Sequence, residues 1–78
     1  MPEDIAEKGE EVYRQKEEEL ERKFFGKVVA INVEKGEISG KGDSIVAAAK
    51  EAMKKYPGKL FYFKRVGYPY TEHFLVIY

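Results

Sequence analysis

Asp43, Ser44 and His73 are the first residues whose types suggest chemistry, since an acid, a hydroxyl and an imidazole can be assembled into a nucleophilic triad. Their setting argues otherwise. No nucleophile-elbow spacing surrounds Ser44, and Gly-Asp-Ser before an alanine-rich run is the ordinary pattern of a helix N-cap. The longer stretch Gly40-Lys41-Gly42-Asp43-Ser44 has the glycines of an anion-cradling loop at a helix start, where free N–H groups point outward. It lacks the Gly-Lys-Ser/Thr ending of a P-loop, and Asp43 puts negative charge where a phosphate would sit. The acids between residues 3 and 21 could hydrolyse a bond or hold a metal. However, Asp4–Lys8, Glu10–Arg14, Glu18–Arg22 and Glu19–Lys23 all have the spacing of helical ion pairs, which reads as a solvated face. His73, the only histidine, begins a strand, where an edge or partly exposed imidazole is the default. The expectation is a protein with no catalytic residues, no metal site and no cofactor.

Phe61-Tyr62-Phe63-Lys64-Arg65 interleaves aromatics with bases, as sheets that stack nucleic-acid bases do. Alternation puts Phe61, Phe63 and Arg65 on one face and Leu60, Tyr62, Lys64 and Val66 on the other. The formal net charge of zero counts against a nucleic-acid partner, so a strand buried on both sides is the favoured reading and nucleic-acid binding the alternative. If the chain has an interaction surface, its candidate residues are Tyr62, Lys64, Arg65, Tyr68, Tyr70 and His73.

Seventy-eight residues make one small domain, 1–78, whose core must be efficient or shared with a partner. With no cysteine, neither a disulfide framework nor a cysteine zinc site can form. The acidic N-terminus lacks an apolar signal core, and no apolar run approaches the roughly 20 residues needed to span a bilayer. The expectation is an intracellular, cytoplasmic protein with no membrane partner. Residues 1–25 carry nine acids against five bases, and residues 26–78 the reverse balance of five against nine. An acidic helix lying on a mildly basic body accounts for this. The charge-rich, tryptophan-free composition is also of the kind thermophile proteins show.

These residues must be positioned by a short series of elements. Residues 3–24 read as a helix with a narrow apolar stripe of Ile5, Val12, Tyr13, Leu20 and Phe24, and 1–9 are expected to fray. Lys27–Val33 and Glu37–Ser39 read as a hairpin closed by Glu34-Lys35-Gly36, with Gly40 and Gly42 in the loop beyond. A second helix follows a cap at Asp43 or Ser44, presents Ile45, Ala49, Ala52, Met53 and Tyr56 on one face, and stops at Pro57-Gly58. Strands over 60–66 and 72–78 complete the chain. The stretch 20–31 also aligns with 52–63 at an offset of 32, suggesting two α-β-β units in series.

Gly26-Lys27-Val28-Val29-Ala30, the hairpin, Gly42-Asp43-Ser44 before an alanine-rich helix, and Tyr56-Pro57-Gly58-Lys59 together resemble a family of small domain-of-unknown-function proteins of archaea, including hyperthermophiles, and bacteria. That resemblance covers roughly residues 20–66 and implies a fold but no functional residues. The junction from Gly42 to Ala52 is also similar to HicB-like antitoxins, which would imply a regulator, although the separate DNA-binding segment usual in that group is not evident.

The fold expected from these elements is α+β: a two-layer domain of order α-β-β-α-β-β, with a four-stranded, mainly antiparallel sheet and both helices on one face. Its core is expected to contain Val29, Ile31, Ile45, Ala49, Ala52, Met53, Phe61, Phe63, Leu75 and Ile77. Surplus apolar strand surface suggests a homodimer through the sheet face or an edge. The function expected is a non-catalytic interaction or regulatory module with a protein partner.

Overall fold

The computed structural model describes residues 2–67 and 71–76, with side chains from 7 to 67. The elements are α1 (Pro2–Phe24), β1 (Val28–Asn32), β2 (Glu37–Gly42), α2 (Ile45–Lys55), β3 (Leu60–Arg65) and β4 (Thr71–Val76). Local chemistry sets their boundaries. Ser44 is the N-cap of α2, its Oγ accepting the Ala47 N–H at 3.2 Å. Lys54 and Lys55 complement the C-terminal end of the helix dipole, and the Tyr56 N–H closes the last turn on the Ala52 carbonyl at 2.8 Å. Both helices leave through a glycine in the left-handed region, Gly26 at φ 83° and Gly58 at φ 75°, where other residues are strained.

Up to Arg65 the chain runs α-β-β-α-β, and its antiparallel sheet is three-stranded in the order β2-β1-β3. β4 runs antiparallel beside β3 and is described by its backbone. Every residue of β1 is buried. Val29, Ile31 and Tyr62 turn to one side, where they meet Val12, Tyr13 and Leu20 of α1. Val28, Ala30, Phe61 and Phe63 turn to the other, where they meet Ala48 and Ala52 of α2.

The helices therefore lie on opposite faces, and the expected four-stranded, two-layer domain with both helices on one face is corrected. The strands whose packing is described number three, and they form the middle of three layers. The reason lies in β1 and β3. Both are apolar at odd and at even positions, and each parity needs its own cover. The second cover assigned in sequence to a partner chain is supplied by α1. The two α-β-β units share the glycine turn but not an arrangement, since each helix covers a different face.

The core is also redistributed. Val29, Ile31, Ala52, Phe61 and Phe63 are buried as expected, but Ile45 and Ala49 are only partly buried, and Met53 has intermediate exposure. Ala48, Val28 and Tyr62 take their place. The Leu75 side chain and Ile77 lie outside the described residues. Gly40 and Gly42, expected in a loop, extend β2 because α2 sits directly on them: a Cβ at Gly40 would overlap the Ala48 carbonyl oxygen and lie 2.7 Å from the Ala52 nitrogen.

Gly9, which interrupts the α1 stripe in the sequence, is a seat of the same kind. It is buried, and a Cβ there would overlap the Tyr62 ring. Helical Gly→Ala ordinarily stabilises by about 1 kcal/mol. Here Tyr62 is fully buried and cannot step aside. Gly9→Ala is expected to lower the urea midpoint, and a raised midpoint would show that α1 does not rest on Tyr62.

Candidate functional site

Tyr62 and Lys64, two of the six candidate surface residues, are buried at 0% and 4% exposure beneath α1. Lys64 Nζ donates to Glu10 Oε2 at 3.0 Å, and the Tyr62 hydroxyl donates to the same oxygen. The Lys64 ammonium also stands 5.1 Å from the centre of the Tyr13 ring, whose hydroxyl accepts the Gly67 N–H at 3.1 Å. Burial pushes the Tyr13 phenol up. Glu10 thus leaves its helical neighbour Arg14 and reaches across to β3. Of the four spaced pairs read on α1, Glu19–Lys23 is formed, at 2.9 Å. The cluster ties α1 to the sheet.

Arg65, half-buried, donates to the Gly26 carbonyl at 2.8 Å. Tyr68 and Tyr70 lie outside the described residues, and His73 is described by its backbone alone, opposite Phe63. A base-stacking surface on 61–65 would need Phe61, Tyr62 and Phe63, all of which are in the core. Asp43 is exposed and paired with Lys27, which holds its carboxyl below the usual range. The triad geometry is not assembled among the described residues: Ser44 is engaged as a cap and Asp43 as a salt-bridge partner.

A concave surface lies elsewhere, along the free edge of β2. The ladder alternates, and Gly40 and Gly42 face their β1 partners Ala30 and Val28. Lys41 therefore turns its amide outward, where Glu51 Oε1 of α2 accepts it at 3.1 Å. By the same alternation, Ile38 presents the next outward amide. Between them Ser39 has no partner across the pair. The register passes from Ala30↔Gly40 to Ile31↔Ile38, a β-bulge that buries Ser39 to 5% exposure with its Oγ unpartnered.

Both helical layers wall this edge. One hollow of about 540 Å³ is lined by Ile38, Ser39, Gly40 and Lys41 on its floor, Phe24 from α1, and Glu51, Lys54 and Lys55 from α2. A continuation of about 370 Å³ adds Lys16, Glu19, Leu20 and Lys23 of α1 and reaches Glu37. The sequence reading missed this groove because it ended β2 at Ser39. The glycines that place α2 over β2 were the available signal.

One end of the groove is organised by Tyr56. Its hydroxyl donates to Glu37 Oε2 at 2.8 Å, and Lys55 reaches the same oxygen at 3.2 Å. The Tyr56 bond, followed by Lys55, holds the Glu37 carboxyl below its ordinary value, while Glu37 holds the Tyr56 phenol above its own. A depressed carboxylate contributes stability above its unfolded pKa and loses it as pH falls through the folded value. Tyr56→Phe is therefore expected to destabilise at pH 7 and to cost progressively less toward pH 3, read from urea midpoints at the two pH values. An equal loss at both would locate the effect in packing.

Among the described residues no helix is long and apolar enough to cross a membrane, and no group of three potential ligands could hold a metal ion. Among the described residues, Phe25 and Val46 are the exposed large hydrophobics, at 66% and 63%. No protein-family model, no curated protein and no solved structure matches this chain.

Proposed function

We propose that the protein is a small non-catalytic interaction module whose working surface is the free edge of β2. One observation carries this reading: both faces of β1 and β3 are covered by helices, whereas the outer edge of β2 forms the floor of an open groove with walls from both layers. An open strand edge offers unpaired backbone groups, the usual means by which sheets recruit another chain. The groove replaces the expected surface on Tyr62 and Lys64. A homodimer paired edge to edge is one form such a module can take, and a cytoplasmic setting accords with the cysteine-free sequence.

The test is position-dependent photo-crosslinking. A photoreactive phenylalanine analogue is placed at Lys41 and, as a control, at the exposed Glu18 of α1. A discrete protein adduct from position 41 and none from position 18 is the expected result. Equal yields from both, or none from either, would sink the proposal.

A further inference from the structure

We infer that the β2 edge takes an extended acidic segment of a partner protein, which adds to the sheet as a further strand. This deepens the reading of β2 as an interaction edge and rests on it. The shape of the groove selects an extended chain. Its floor is one strand edge and its walls come from helices on opposite sides of the sheet, so an added strand continues the sheet plane between them. A strand sits about 4.8 Å from its neighbour and can bond Ile38 and Lys41 through their outward amides and carbonyls.

Charge selects the sign. The rims carry Lys16, Lys23, Lys41, Lys54 and Lys55 against Glu19, Glu37 and Glu51. Lys23, Lys41 and Lys55 are matched to those acids at 2.9, 3.7 and 3.2 Å. Lys16 on the α1 wall and Lys54 on the α2 wall make no salt bridge among the described residues, although Lys16 acts on Glu19 through its charge, so each wall presents a cation outside those pairs. An incoming strand alternates its side chains between the two walls, and carboxylates on both parities meet Lys16 and Lys54.

Glu51 occupies the place the segment would take. Its carboxylate already receives the Lys41 amide and lies 3.7 Å from Lys41 Nζ. An acidic strand reproduces both interactions, with a backbone carbonyl for the amide and a side-chain carboxylate for the ammonium. Its half-exposed side chain is free to swing into solvent. A basic or neutral segment satisfies only the amide. Ile38 on the floor and Phe24 on the α1 wall add apolar contact.

The probe is a fluorescent eight-residue peptide repeating Glu-Glu-Val-Val, which puts glutamates on both faces of a strand, compared with its Lys-Lys-Val-Val counterpart and with a version carrying proline in place of every valine. Anisotropy is read at 50 mM and 500 mM salt, with amide NMR shifts to locate the site. The acidic peptide is expected to bind with shifts centred on Ile38–Lys41, weaken at high salt, and lose at least about tenfold in affinity to Lys16→Glu/Lys54→Glu. Lys16 is half-buried and Lys54 exposed, and the amide spectrum of the double variant would show that the fold is intact. The proline version is expected not to bind, because prolines on both parities break the ladder in either register. Acidic binding that survives the prolines, or equal binding of the lysine peptide, overturns the acidic-strand inference. Shifts at Ile38–Lys41 caused only by self-association overturn the partner named here and leave β2 as an interaction edge. Shifts confined to other surfaces overturn both.

Discussion

Gly40→Val is expected to lower the unfolding free energy by about 3 kcal/mol, and with it the melting temperature by roughly 12–24 °C for a domain of this size. A side chain at this position has nowhere to go. The nearest atoms are backbone, the Ala48 carbonyl oxygen and the Ala52 nitrogen and Cα, and they belong to a helix fixed at its start by the Ser44 cap. Relieving the overlap means lifting α2 from β2, which uncovers Ala48 and Ala52 and loosens their packing on Phe61 and Phe63. Gly40→Ala should already show most of the loss, because the first carbon makes the overlap. Thermal melts followed by circular dichroism would decide it, and an alanine variant within about 0.5 kcal/mol of the parent would mean that α2 is not seated on the strand.

The second large effect is expected at Glu10. Glu10→Ala removes the acceptor shared by Lys64 and Tyr62 and leaves a 4%-exposed ammonium without that partner. Removing one member of a buried pair costs about 3–5 kcal/mol, and the partial exposure of Glu10 places this case near the lower figure. Lys64→Met should cost about 1 kcal/mol, because the charge leaves together with its need for a partner while the stem volume is kept. The double variant Glu10→Ala/Lys64→Met should then be more stable than Glu10→Ala alone. Denaturant midpoints of the four proteins close the cycle, and strictly additive losses would show that the pair is uncoupled.

Local signals in the sequence were readable where a single residue type carries them. The cap expected at Asp43 or Ser44 is Ser44, the stop is at Pro57-Gly58, and the strand read over Lys27–Val33 is β1, Val28–Asn32. What could not be read was which side of the sheet each helix takes. Strands with apolar residues at every position give no parity signal, so the same run is compatible with one covered face or two. Gly40 and Gly42 were misread for a related reason. In sequence a glycine pair marks a loop, and only the closeness of α2 shows that they belong to a strand. The charges on α1 misled in the same direction: Glu10 has an arginine at helical spacing, yet its partner is a lysine 54 residues away. The groove inherits these errors, being defined by the end of β2 and by helices on opposite sides.

The separate cover for each face also sets an order of assembly. The β1–β2 hairpin and α2 find their partners close in sequence, since Ala48 and Ala52 settle on glycines within about a dozen residues. The seat of α1 is shared between Val29 and Ile31 of β1 and Tyr62, Lys64 and Val66, and its polar bonds to the second group span sequence separations of 52 to 54 residues. Loop-closure entropy delays such contacts. The first helix synthesised thus completes its seat only when β3 arrives, because the half contributed by Tyr62, Lys64 and Val66 comes last.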